Sequence, residues 1–89
     1  MDFTQQEAND KVGKHVRIIK DEAYFSSKGV TKGIHGTVVS ADYIGEGEVA
    51  VSIRFFPQGM PEGVLLHYID KEQYDRSLLE ADMAPGARI

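Results

Sequence analysis

The side chains best suited to chemistry at neutral pH are three histidines, His15, His35 and His67, and five serines, Ser26, Ser27, Ser40, Ser52 and Ser77. Three imidazoles can hold Zn²⁺ and leave a fourth position open. No pair of these histidines has the spacing that puts two ligands on one helix face, and each falls on or beside a different predicted strand. Only a fold that gathers those strands would make a site of them. A serine nucleophile needs a base and a group that orients the base. None of the serines stands in a Gly-x-Ser-x-Gly turn. The 14 acidic residues will bring some carboxylates together in any compact fold, but no spacing marks an acid–base pair. The stretch from Lys28 to Gly36 is rich in glycine and lysine, yet it lacks the Gly-x-x-x-x-Gly-Lys-Ser/Thr order, and no predicted helix follows it. Its glycines suit a turn and a close strand crossing. The sequence therefore predicts no enzyme, no metal and no cofactor.

A binding surface is the stronger pattern. Tyr24 and Phe25 stand close to Lys28 and Lys32, with Arg17 on the strand before them and Arg54 near if its strand pairs. Aromatic rings beside cations can stack on and neutralise nucleic-acid bases or an acidic protein segment. Phe56, Pro57 and Met60 offer an apolar rim opposite. The alternative is that Tyr24 and Phe25 simply cover one end of the core. The net charge of −4 conceals a segregation. Residues 11–32 carry Lys11, Lys14, Arg17, Lys20, Lys28 and Lys32 against only Asp21 and Glu22. The acids concentrate before and after. An acidic body lacks the long-range pull toward nucleic acid that a basic protein has. The expectation is a non-enzymatic accessory module that docks an acidic protein surface through Arg17, Tyr24, Phe25, Lys28, Lys32 and Arg54. RNA binding by the same basic strand is the alternative.

These residues need elements to position them. Thr4 with Glu7 three positions later is a capping box, Phe3 and Ala8 sit at staple positions, and Gly13 is a C-terminal stop. A short helix over residues 5–12 follows. Val16 and Ile18 alternate with His15, Arg17 and Ile19, which reads as a strand over 15–20. Residues 21–33 read as a long loop. A second strand is expected over 36–41, a turn over 42–47, and a third strand over 48–56 in which Val49, Val51, Ile53 and Phe55 share a face. Pro57 ends it. A fourth strand covers 64–69. Asp70 and Gln73 then open a helix whose Tyr74, Leu78 and Leu79 face the core.

Short strands, glycine-rich turns and terminal helices predict a mainly β chain: an SH3-like small barrel of four to five strands with a short N-terminal helix and a C-terminal helix. A single domain is expected, with the N-terminal helix in 1–12, the barrel in 13–69, the C-terminal helix in 70–81 and a flexible tail in 82–89. No apolar run approaches the ~18 residues of a membrane span. The opening decapeptide has neither the basic start nor the apolar stretch of a secretion signal. There is no cysteine to staple the chain. A cytoplasmic monomer without membrane contact is the expectation.

Gly13, Val16 and Ile18, followed by Lys32-Gly33, Gly36 and Val38, are similar to the KOW motif, whose members contact RNA or protein. Val16 to Lys20, Glu22, Tyr24-Phe25, Gly36-Thr37-Val38, Ile53-Arg54-Phe55 and Gly63-Val64 resemble the strands of the small barrel subunit of photosystem I, a non-enzymatic docking protein. Val12 to Val16, Gly29 to Val38 and Lys71 to Tyr74 resemble a group of uncharacterised small bacterial proteins of this length. All three resemblances imply an SH3-like barrel. The first implies contact with RNA or protein, and the second a shared fold alone.

Overall fold

The structure is a computed structural model that describes residues 3–81. The tail expected over 82–89 lies outside the described residues. Helix α1, Gln5–Lys11, begins at the capping box: Glu7 N–H donates to Thr4 Oγ1 at 3.1 Å, and Thr4 N–H donates to Glu7 Oε1 at 2.9 Å. Phe3 and Ala8 are both buried, as a staple requires. Five strands follow in a single antiparallel sheet: β1 His15–Ile18, β2 His35–Gly45, β3 Glu48–Phe55, β4 Val64–Ile69 and β5 Leu78–Ala81. Helices α2, Ala23–Ser27, and α3, Lys71–Ser77, interrupt them.

The strand order is β4-β3-β2-β1-β5, so the chain meanders and its last strand returns to the first. Among the described residues no ladder joins β4 to β5, and the sheet is open. The long β2–β3 hairpin bends at register shifts between Val38 and Ser40 and between Tyr43 and Gly45. Such shifts add local twist and let a sheet curl over one core. Gly36 lies close against β3: a Cβ there would stand 2.7 Å from the Phe55 ring and 2.8 Å from the Arg54 carbonyl oxygen. Only glycine fits. The inner face buries Val16, Ile18, Val38, Val51, Ile53, Phe55, Leu66 and Ile69.

Expectations from sequence change at four points here. The second strand, expected over 36–41 with a turn over 42–47, runs on to Gly45 and leaves only Glu46 and Gly47 as the turn. Residues 21–33 are not wholly a loop, since Ala23–Ser27 makes a short helix. Its middle carries Phe25, fully buried, with its ring centroid 5.6 Å from that of Phe55. Burying that ring pulls the backbone into a helical turn, and Gly29 releases it at φ 79°. The C-terminal helix does not reach residue 81. Leu78 turns extended, at φ −122° and ψ 141°, and residues 78–81 pair with the free edge of β1. Ladder hydrogen bonds for a strand that has an open edge outweigh the extra helical turn. Leu79 consequently points outward and is 50% exposed, whereas Tyr74 and Leu78 are buried as expected.

Helix α1 packs on β2 and β3, and side chains tie it to α3 and β5. The Phe3 and Tyr74 rings meet edge to face at 5.6 Å. Lys11 Nζ lies 5.1 Å from the Tyr74 ring centroid and 2.6 Å from Glu80 Oε2. The Tyr74 hydroxyl donates to the same Glu80 oxygen at 2.8 Å. Burial, with the Glu80 carboxylate beside it, pushes the Tyr74 phenol above its ordinary range. Lys71 and Glu7 join the two helices at 2.8 Å.

The placement of Phe25 is directly testable. Phe25→Ala should destabilise the protein by about 3–5 kcal/mol, as removal of a buried aromatic ring does. Urea unfolding reads that loss. A change below ~1 kcal/mol would put the ring outside the core.

Candidate binding face

Strand β1 sends Val16 and Ile18 inward, so His15 and Arg17 face outward. Antiparallel partners directly opposite each other share a face. The register therefore writes out the outer surface row by row. Arg17 is opposite Leu79 on β5 and His35 on β2. Phe56 extends that row, because its N–H bonds the His35 carbonyl at 2.9 Å. The next row runs Ala81, His15, Thr37, Arg54 and Leu65. His15 Nδ1 and Thr37 Oγ1 meet at 3.0 Å, which confirms the shared face.

These rows contain two arginines and two histidines and no carboxylate. Apolar side chains frame them: Leu79 at 50% exposure, Phe56 at 40% and Val39 at 42%. Arg54 is steadied by one hydrogen bond, from Nη1 to the Glu62 carbonyl at 3.0 Å. Gly63 permits that approach, since a Cβ there would stand 2.8 Å from Arg54 Cγ.

The structure divides the site residues expected from sequence. Arg17 and Arg54 share this face but not a ladder, since β2 lies between β1 and β3. Lys28 and Lys32 are exposed in the connection between β1 and β2. Lys28 is the C-cap of α2, and Lys32 donates its backbone N–H to Asp21 Oδ1 at 2.7 Å. Phe25 belongs to the core and offers nothing to a partner. Tyr24 is half-buried and bridges to β4. Its hydroxyl donates to the His67 carbonyl at 3.1 Å and accepts from the His67 N–H at 3.2 Å. Its ring therefore works as a strut. His35, Leu65 and Leu79 were not expected in a binding surface. In the sequence His35 stands out only as a candidate metal ligand, and Leu79 lies within the expected C-terminal helix.

The histidines do not converge. His35 lies opposite Arg17, His15 bonds Thr37, and His67 bonds Ser52 Oγ through Nδ1 at 3.1 Å. Among the described residues no three His, Asp or Glu side chains are grouped to hold a metal ion. Asp42, Ser52 and His67 do form a polar chain, with Ser40 donating to Asp42 Oδ1 at 3.0 Å. Serine is the middle member, however. Its single proton is donated to Asp42 Oδ2, so Oγ is left to accept from His67 Nδ1–H. A nucleophilic serine needs the opposite polarity, with its proton given to the imidazole. Ser52 is also buried. The chain thus cross-links β2, β3 and β4. Beside it, Leu66 and Ile69 both reach the core although three residues apart, because β4 bulges between them. Tyr68 occupies the bulge at φ 63°, a left-handed conformation that costs a non-glycine residue about 1–3 kcal/mol.

A second clamp fixes the β1–β2 connection. The Glu22 carboxylate accepts from Arg76 Nε and Nη2, both at 2.9 Å, and from the Ser77 hydroxyl. The Arg76 hydrogen bonds, and then Ser77, hold the Glu22 carboxyl down at about 2, from an ordinary 4.5. No family model, no curated protein and no solved structure matches the chain.

The Glu22 clamp predicts a pH dependence. A carboxyl depressed by folding contributes stability above its unfolded value and loses it as the pH falls toward its folded value. The protein should be more stable than Glu22→Gln from neutral pH down to about 4.5, and the gap should close toward about 2. Urea midpoints for the two proteins across that range measure it. A gap that persists unchanged at the acid end would mean that ionisation of Glu22 is not what the clamp uses.

Proposed function

We propose that this chain is a non-enzymatic docking module on an SH3-like barrel, and that its partner is an acidic protein segment. The barrel reading is supported by the strand order, with β1 held between β2 and β5, and by the two register shifts that curl the β2–β3 hairpin. The docking reading rests on one observation above all. In a protein of net charge −4, the first strand, its outer face and its connection carry Arg17, Lys20, Lys28, Lys32 and Arg54 in exposed or half-exposed positions. Segregated charge of this kind steers a partner of opposite sign and sets its orientation. The Asp42–Ser52–His67 chain supports the non-enzymatic half, because its hydroxyl is buried and already committed. Among the described residues no helix is long and apolar enough to cross a membrane.

Fluorescence anisotropy with two defined probes tests this reading. A labelled glutamate-rich peptide should bind at low ionic strength, and its affinity should fall as salt rises. A labelled single-stranded oligouridine should not bind. Absence of peptide binding at low salt would overturn the reading. So would tighter binding of the RNA with the steep salt dependence of counterion release.

A further inference from the structure

Resting on that docking reading, we infer that the contact is made by the outer sheet face rather than by the loop lysines, and that the face takes an extended segment with two carboxylates four residues apart. The surface geometry leads to this spacing. Arg17 and Arg54 are two strands apart and offset by two residues along the strands. Strands lie about 4.8 Å apart and rise about 3.3 Å per residue, so the two Cα positions are separated by about 12 Å. In an extended segment, residues i and i+4 are about 13 Å apart and project to the same side. Residues i and i+2 span only about half of that. One carboxylate can then meet each guanidinium, and each pairing can be bidentate. The side chain at i+2 falls between His35 and Thr37, near the exposed ring of Phe56.

The ends of the diagonal favour the same occupant. Leu79 lies beyond Arg17 and Leu65 lies beyond Arg54, each directly opposite its arginine on the neighbouring strand. Apolar side chains just outside the two carboxylates would cover them. Charge complementarity sets the class of ligand, since neither row holds an acidic residue to compensate the guanidinium groups. Lys28 and Lys32 lie off these rows, in the β1–β2 connection, and contribute attraction at a distance.

The test uses the full chain and three labelled peptides, the first two rich in threonine and valine, which favour extended backbone. One has glutamates at i and i+4 around a leucine, one has the same composition with glutamates at i and i+2, and one is polyglutamate. The i, i+4 peptide should bind about tenfold tighter than the i, i+2 peptide, the equivalent of one additional charge-assisted contact. Arg17→Glu should remove that preference, and so should Arg54→Gln, which keeps a donor for the Glu62 carbonyl. A Lys28→Glu/Lys32→Glu double variant should keep it. Unchanged urea midpoints show that the variants fold. If polyglutamate binds and neither arginine variant weakens it, docking stands and this face is wrong. If the two spacings bind equally, the spacing is wrong. If no acidic peptide binds, the docking reading fails as well. A concentration-dependent dimer in place of peptide binding would mean that a second copy occupies the face, and would also overturn the inference.

Discussion

Strand β1 is paired on both edges, and the arrangement of the whole molecule depends on that. A four-residue strand has little intrinsic stability. It is held because β2 takes one edge and β5, arriving from the far end of the described chain, takes the other. The Glu22 clamp reinforces the join by tying the residues just after β1 to Arg76 and Ser77 just before β5. Ile19 adds a backbone bond to the Ser77 carbonyl at 2.8 Å. Sequence-distant segments are thereby fixed around the short strand that carries Arg17.

Double pairing also decides what each face can do. Val16 and Ile18 contribute to a core that continues through Val38, Ile53, Phe55 and Phe25. The alternate residues are left on the outside, where the two arginines and two histidines lie in register with Leu79 and Leu65. One alternation thus generates both the packing surface and the candidate contact surface. The connection between β1 and β2 serves the core first. Phe25 fills it, Tyr24 braces β4, and Lys20, Lys28 and Lys32 are left exposed. Full burial of a phenylalanine contributes about 1.5–3 kcal/mol, a substantial share of the stability of so small a domain.

Much of this was legible in the residues. The capping box at Thr4, the Asp70 cap and the period-two pattern from Val49 to Phe55 each act locally, and local physics reads from local sequence. Strand β4 has the limits its sequence predicts, because Gly63 and Asp70 punctuate it. What escaped was tertiary in origin. Phe25 sits among serines, lysines and glycines that read as loop, and only its burial against Phe55 makes the helical turn. Leu78 and Leu79 fit a helix face as well as a strand, and the open edge of β1 decides between them. The bulge at Tyr68 had left a trace: Leu66 and Ile69 are both strongly apolar at a spacing that a regular strand cannot bury. For the candidate face, Arg17 and Arg54 stand out in the sequence as cations, but their neighbours Leu79, His35 and Leu65 follow only from register, which no single segment specifies.

On the docking reading proposed above, the outer face built on β1 is where the protein meets an acidic segment. A two-dimensional amide NMR titration with an acidic peptide tests it most directly. The resonances of Arg17, His35, Thr37, Arg54, Leu65 and Leu79 should move together while those of the buried Val16 and Ile53 stay in place. Shifts confined to Lys28 and Lys32, or to His67 and Tyr68, with the sheet rows unmoved, would contradict it.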